Sequence, residues 1–153
     1  MLFSLRSFRL RNALPGALLG LAAALAPTAP RAEEVLAGPV AATLIRVIDG
    51  DTLLVRARVW LDLEVVTRVR LRGVNAPELR ARDEGERGRA AAARAFVSGL
   101  AEGAALTLTE IGQDKYGGRV VARVAADGED LGAALLAGGH ARPMGARGRR
   151  TPG

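Results

Sequence analysis

Two segments of alternating residues constrain the fold of this chain more than any other feature. In Leu53–Val59 the odd-numbered positions are apolar, with Arg56 and Arg58 between them, and Val65–Arg72 alternates in a similar way. Alternation with a period of two is typical of strands that bury one face. The run Ala41–Ile48, rich in β-branched residues, precedes them. The three segments therefore predict an antiparallel meander.

The rest of the chain supplies two more strands and two helices. Ala90–Leu100 is rich in alanine, has its larger apolar residues at helical spacing, and predicts a helix after the third strand. Leu106–Ile111 and Val120–Ala125 predict strands four and five, and Asp130 is placed to cap a short helix at Leu131–Ala137. The order βββ-α-β-β-α predicts an α+β, mainly β fold. The expected fold is a five-stranded Greek-key barrel of the OB type, with one helix between strands three and four and a short C-terminal helix.

The first 32 residues have the pattern of a targeting segment. Arg6, Arg9 and Arg11 precede an uncharged, mostly apolar run at Ala13–Ala26. That run is shorter than the roughly 20 residues of a spanning helix, and its basic flank is typical of a secretory signal. We expect a signal peptide at 1–32 and an exported protein, periplasmic or secreted, with no membrane attachment after the signal is removed. An uncleaved anchor is the alternative.

The charge of the whole chain is a poor guide to nucleic-acid affinity. The formal net charge is +6, from 22 basic and 16 acidic residues. The signal segment holds four of the arginines and no acid, so its removal leaves a net charge of +2. Any attraction to a phosphate backbone must therefore be local. The absence of cysteine excludes a disulfide framework, a thiolate zinc site and a cysteine nucleophile.

Beyond the signal, the chain has the length of a single domain with a modest core. We expect a loose leader at 33–40 and the barrel domain at 41–141. Glycine, proline and arginine dominate 142–153, which predicts a disordered tail. We expect the protein to be a monomer.

The residues that can carry chemistry cluster in three places, each at the end of a predicted strand. The clusters are Val47–Thr52, Arg70–Glu78 and Asp114–Arg119. Hydrolysis of a phosphodiester needs a cation, a means of activating water, and donors directed at the oxygens that gain negative charge. The carboxylates and guanidiniums of these three segments supply such a set. Taken alone, Asp49-Gly50-Asp51 is also an ordinary hairpin turn.

In their order and spacing, the three segments resemble the staphylococcal nuclease (thermonuclease) family. The resemblance covers most of the chain after the signal, and it implies an OB-type barrel that uses Ca²⁺ to hydrolyse DNA or RNA. It also implies that Ca²⁺ is held by Asp51, by the side chain of Asn75 and by the backbone carbonyl of Ala76. Asp49 would lie outside these direct ligands.

The resemblance further assigns the groups that act on the substrate. It implies that Glu78 activates water and that Arg70 and Arg119 clamp the phosphate. Lys115 and Tyr116 match residues that contact a nucleotide's phosphate in that family. A guanidinium can donate two parallel hydrogen bonds to a phosphate and keeps its charge. We therefore expect the protein to bind the nucleic-acid backbone, with little sequence preference.

Two departures from the family pattern bear on activity. Asn75 stands where the family has an aspartate, so the metal site loses one negative charge and its affinity for Ca²⁺ should fall. The family's Tyr-Gly-Arg is extended by Gly118, so Arg119 lies either on a one-residue bulge or in a shifted register. Two other functions stay open. One is a non-catalytic module of the same fold that binds nucleic acid or protein, and the other is a structural domain of the cell envelope.

Overall fold

The computed structural model describes residues 34–145, so the signal segment expected at 1–32 and residues 146–153 of the expected tail lie outside the described part. The described part contains two helices, α1 (Glu84–Ala101) and α2 (Leu131–Ala137). No helix within residues 34–145 is long and apolar enough to span a membrane. The strands of the same residues are β1 (Val35–Leu36), β2 (Val40–Asp49), β3 (Thr52–Arg58), β4 (Glu64–Leu71), β5 (Val74–Asn75), β6 (Leu106–Gln113), β7 (Arg119–Ala126), β8 (Glu129–Asp130) and β9 (Arg142–Pro143).

The five long strands close into a barrel. β2 pairs antiparallel with β3, and β3 with β4, which confirms the predicted meander. β4 then pairs parallel with β7, β7 antiparallel with β6, and β6 with β2. This closed order, with α1 between β4 and β6, is the predicted OB-type barrel. The alternation that predicted the strands also explains the core, because Leu53, Val55, Val69 and Leu71 point inward and are buried.

Helix α1 begins earlier than its alanine-rich part predicts. The prediction starts at residue 90, whereas the helix starts at Glu84. The side chain of Asp83 accepts a hydrogen bond from the backbone N–H of Glu86 at 2.7 Å, which satisfies one of the free donors of the first turn. The charged residues before the alanines therefore belong to the helix.

The turn that carries Asp51 is fixed by close packing at Gly50. A Cβ atom at Gly50 would lie 2.7 Å from the Cβ of Ala93 on α1 and 2.9 Å from the Cβ of Ala76. Such distances leave room for glycine alone. The helix and the loop after β5 are thereby pressed against the β2–β3 turn.

Helix α2 has the predicted bounds and the predicted cap. The carboxylate of Asp130 accepts a hydrogen bond from the backbone N–H of Ala133 at 2.8 Å. At the other end, the N–H of Gly138 donates to the carbonyl of Ala134 at 2.8 Å. Its sequence signals were local, which is why they could be recognised without the fold.

Two expectations about the ends of the domain are wrong. The leader is not loose throughout, because β1 pairs with the end of β6 at Ile111 and Gly112. The tail is not disordered from residue 142, because β9 pairs with β5 and so extends the fold through Pro143. Both pairings are made by backbone hydrogen bonds with distant segments, which the local composition does not encode.

Candidate active site

Asp51 is a buried acid at the turn between β2 and β3, with 5% of its surface exposed. Its Oδ1 accepts hydrogen bonds from the hydroxyl of Thr52 at 2.9 Å and from Nη1 of Arg70 at 3.2 Å. Its Oδ2 accepts one from the backbone N–H of Ala76 at 2.9 Å. A buried carboxylate is tolerated when a cation and hydrogen bonds replace its lost hydration. The three donors meet this need and fix the orientation of Asp51.

Arg70 joins the two side chains that the resemblance assigns to the metal. Nη1 of Arg70 donates to Asp51, and Nη2 donates to Oδ1 of Asn75 at 2.9 Å. Arg70 lies on the outer face of β4, between the inward-pointing Val69 and Leu71. The barrel wall therefore holds the guanidinium, and the guanidinium gathers the two oxygen donors.

The gathered oxygens are of the type that Ca²⁺ takes. Asp51 offers a carboxylate and Asn75 an amide oxygen, and both are hard ligands. The two oxygens accept hydrogen bonds from the two terminal nitrogens of one guanidinium. The set fits a hard cation in ligand type, but it carries one negative charge, which Arg70 already balances. Among residues 34–145, no group of three or more His, Cys, Asp or Glu side chains is arranged to hold a metal ion. Ala76 contacts Asp51 through its backbone N–H, which donates a hydrogen bond to the carboxylate.

Glu78 follows these residues on the loop between β5 and α1. Its side chain is exposed, and its carbonyl accepts a hydrogen bond from the N–H of Ala81 at 3.1 Å. It borders a cleft of about 580 Å³, which Asn75 also lines. Glu86 and Arg89 of α1 and the segment 139–142 form the other walls. Glu78 is thus an accessible carboxylate in an open cleft beside the Asp51 corner.

The hairpin between β6 and β7 presents the second group of predicted residues. The backbone N–H of Asp114 donates a hydrogen bond to the carbonyl of Arg119 at 3.2 Å and so closes the loop of the hairpin. Gly117 and Gly118 both adopt left-handed backbone angles, with φ of 58° and 65°. The additional glycine is accommodated in the loop, and Arg119 becomes the first residue of β7. Arg119 therefore keeps a place in the barrel wall, paired with Arg68 of β4.

Asp114 and Arg119 form an ion pair within this hairpin. Nε of Arg119 donates to Oδ2 of Asp114, whose side chain is 5% exposed. Burial acts to raise the pKa of Asp114, but the hydrogen bond and charge of Arg119, the backbone N–H of Tyr116 and the charge of Arg70 outweigh it. The net effect holds the pKa of Asp114 below its ordinary value of 3.8. Asp114 therefore compensates the charge of Arg119 at neutral pH.

Tyr116 stands between two cations at the tip of the hairpin. Nζ of Lys115 lies 4.8 Å from the centre of the Tyr116 ring, and Cζ of Arg119 lies 5.1 Å from it. These distances are within the range of cation–π attraction. Tyr116 as a whole is 69% exposed, so it is open to a ligand. The two predicted substrate-binding residues are thus brought together with Arg119.

The predicted site residues form two groups that one strand pairing links. β4 and β7 run side by side, and Val121, two residues after Arg119, lies opposite Arg70. Thr52 and Asp114, which orient Asp51 and Arg119, were not predicted as site residues. Thr52 could have been recognised because it directly follows Asp51 in the sequence. Asp114 could have been recognised because it lies at the opposite end of the hairpin from Arg119. The first group is Asp51, Arg70, Asn75 and Ala76, followed by Glu78 on the adjoining loop, and the second is Lys115, Tyr116 and Arg119.

Residues 68–151 match the family model of staphylococcal nuclease homologues. The matched segment is more than half of the chain. The chain belongs to this family. Comparison with curated proteins gives no match.

The family match and the geometry complement each other. The matched segment contains Arg70, Arg119 and Glu78, whereas Asp51 precedes it. Asp51 joins the site through its contacts with Arg70 and Ala76. A nuclease-type family and a closed OB-type barrel together support a role directed at nucleic acid.

Proposed function

We propose that this protein is an exported, Ca²⁺-dependent nuclease that hydrolyses DNA or RNA phosphodiester bonds with little sequence preference. The observation that carries the proposal is the arrangement around Arg70. One guanidinium gathers Asp51 and Asn75, and the next residues of the same loop lead to the accessible Glu78. Membership of the staphylococcal nuclease homologues supports the same chemistry.

The roles follow from charge and position. Arg70 and Arg119 neutralise and orient the phosphate, because each can donate two hydrogen bonds and neither loses its proton. Glu78 accepts a proton from the attacking water, since it is a carboxylate with access to solvent. Lys115 and Tyr116 hold the neighbouring part of the nucleotide from the hairpin tip.

Asp51, the side chain of Asn75 and the carbonyl of Ala76 would hold Ca²⁺. When bound, the ion would supply positive charge to the oxygens of the phosphate. Because the protein ligands carry one negative charge, we expect weaker Ca²⁺ binding than a two-aspartate site would give. Ca²⁺ concentrations outside the cell suit such a site, because extracellular modules commonly bind this ion at about 10⁻⁴–10⁻³ M.

A second function is favoured by a specific observation. Arg70 is hydrogen-bonded to both expected metal ligands, and Arg119 is paired with Asp114. With both arginines engaged and Asn75 in place of an acid, the same barrel would serve as a non-catalytic module that binds nucleic acid or a protein. The presence of Glu78 in the cleft argues for the nuclease, because a binding module has no need of it.

Cleavage of single-stranded DNA, with Ca²⁺ and separately with chelator, separates the two functions. Glu78→Gln should retain the melting temperature and lower turnover by about 10²- to 10⁴-fold, which is the usual contribution of a general base. Glu86→Gln is the matched control, because Glu86 lines the same cleft from α1. It should retain nearly full turnover. A folded protein that cleaves nothing at millimolar Ca²⁺ would support the binding module instead.

A further inference from the structure

The outer wall of the barrel carries a row of arginines that leads away from the candidate active site. Arg46 of β2 is paired with Leu54 of β3, Leu54 with Arg68 of β4, and Arg68 with Arg119 of β7. Residues directly opposite each other in neighbouring strands point to the same face of a sheet. The row therefore crosses four strands and ends at Arg119.

The burial of the flanking residues shows which face this is. Val47, Leu53 and Val69 follow or precede members of the row and are buried in the core. Since successive residues of a strand point to opposite faces, the row itself faces outward. Arg46 and Arg68 are accordingly exposed.

Within residues 34–145, Arg46 and Arg68 differ from their neighbours in having no acidic partner. None of the ion pairs among residues 34–145 includes either of them. Arg56 and Arg58 on β3, in contrast, both pair with Glu64. A cation without a partner keeps its full attraction for an external anion, whereas a paired cation must first give up its carboxylate.

The dimensions of the row suit a polymeric anion. Neighbouring strands are about 4.8 Å apart, so the row from Arg46 to Arg119 spans roughly 14 Å. Arg68 and Arg70, two residues apart on one strand, are separated by about 7 Å. A nucleic-acid strand carries one negative charge per nucleotide along its backbone, and a row of this length can contact more than one of its phosphates.

We propose that this row, defined as Arg46, Arg68 and Arg119 around Leu54, is the track along which the phosphate backbone of a single nucleic-acid strand enters the site. Arg68 contacts the phosphate next to the one held by Arg70, and Arg46 contacts one further along. The half-buried Leu54 between them gives the track an apolar floor. The inference deepens the proposed function, because it assigns substrate contacts outside the reacting phosphate.

The test uses two substrates. Binding of a labelled 12-nucleotide single strand, measured by anisotropy with chelator at several salt concentrations, reports on the track. Hydrolysis of a nitrophenyl ester of a mononucleotide, measured with Ca²⁺, reports on the reacting phosphate alone. Arg123→Gln is the matched control, because Arg123 also lies on the outer side of β7 but is paired with Glu110 and Asp130.

We expect Arg68→Gln and Arg46→Gln each to weaken binding of the 12-nucleotide strand by roughly tenfold at low salt. Each should also reduce the slope of log affinity against log salt by about 0.7, the value for one lost phosphate contact of a single strand. Hydrolysis of the mononucleotide ester should remain at the level of the unmodified protein. Arg123→Gln should change none of the three quantities.

The outcomes separate the track from the nuclease. If the 12-nucleotide strand bound Arg68→Gln and Arg123→Gln with the same affinity, the proposed track would be wrong, even if the protein cleaved DNA. Binding that depends on Arg68 without any hydrolysis would retain the track and remove the nuclease. An unmodified protein that does not bind the strand at all would overturn the track, whereas the nuclease would be overturned only by the absence of hydrolysis with Ca²⁺.

Discussion

Residues 34–145 contain two largely buried carboxylate–guanidinium pairs of nearly equal exposure, and they are built in different ways. In the Asp51–Arg70 pair, the side chains are 7% and 18% exposed and their residues are 19 positions apart. In the Asp114–Arg119 pair, the exposures are 5% and 24% and the separation is five positions. The first pair joins the β2–β3 turn to β4 through the β3–β4 pairing, in which Thr52 lies opposite Arg70, whereas the second is made within one hairpin.

The surroundings of the two pairs differ as well. The carboxylate of Asp51 also accepts hydrogen bonds from the Thr52 hydroxyl and the Ala76 N–H. It therefore ties β4 to the β2–β3 turn and to the loop that leads to Glu78. Asp114 faces a loop with two left-handed glycines and an exposed tyrosine. The comparison indicates that Arg70 has a structural role besides the one proposed for it in the reaction. In the proposed function, Arg119 would act on the substrate from a local support.

The largest effects should come from removing the two arginines. Arg70→Ala and Arg119→Ala should each lower cleavage by about 10²- to 10³-fold, which is typical for the loss of one donor to developing negative charge. Both variants leave a buried carboxylate without its cation, but Arg70→Ala should lower the free energy of unfolding more, by about 2–4 kcal/mol, because it also removes the hydrogen bond that ties β4 to Asn75. Steady-state cleavage and urea unfolding measure the two quantities.

Arg123→Ala is the control for that pair of variants, since it removes an outer-face arginine of β7 that has acidic partners of its own. It should leave cleavage within a few-fold of the unmodified protein. Equal losses of unfolding free energy in Arg70→Ala and Arg119→Ala would contradict the distinction between a pair that ties three segments together and a pair made within one hairpin.

A smaller effect should follow from Asn75→Asp, which places a second carboxylate in the Asp51 corner. A charge-assisted contact contributes about 1.5–3 kcal/mol, so Ca²⁺ affinity measured by calorimetry should rise by roughly tenfold to a hundredfold. Gln113→Glu adds the same charge beside the other pair and should leave Ca²⁺ affinity unchanged. If Asn75→Asp gave the same dissociation constant as the unmodified protein, position 75 would not be a ligand.

The smallest effect should be the pH dependence that Asp114 contributes to stability. Because Arg119 holds the pKa of Asp114 below 3.8 in the folded state, the unfolded state binds the proton more readily. The resulting stabilisation is fully present above the unfolded pKa and is lost as pH falls through the folded pKa. Asp114→Asn should therefore be slightly less stable at neutral pH, and its free energy of unfolding should approach that of the unmodified protein as pH falls through the folded pKa of Asp114.

Much of the fold could be predicted because its signals are local. The alternation in Leu53–Val59 and Val65–Arg72 indicated strands and their inward faces, and Asp130 indicated the start of α2. The start of α1 was missed, because its charged first turn resembles a solvated loop until Asp83 is seen to cap it. The pairing of β9 with β5 was missed because backbone hydrogen bonds leave no mark on composition.

The sequence proposes the members of the candidate site, and the structure adds their contacts. Asp51, Arg70, Glu78 and Arg119 are proposed because each lies in a short motif at the end of a strand. That Arg70 bonds to both Asp51 and Asn75 could not be found in this way, since it depends on three segments meeting at one corner. The pairing of Arg119 with Asp114 depends on how two glycines turn the hairpin.

The sequence by itself determined the strands, the two helices and the residue types that can carry phosphodiester chemistry, because these follow from periodicity and from motifs a few residues long. Only the tertiary structure decided which residues act together. The parallel pairing of β4 with β7 sets Arg68 beside Arg119, and the β2–β3–β4 register places Arg46 in line with them. Such alignment depends on barrel closure, in which strands far apart in sequence fix one another's positions through backbone hydrogen bonds.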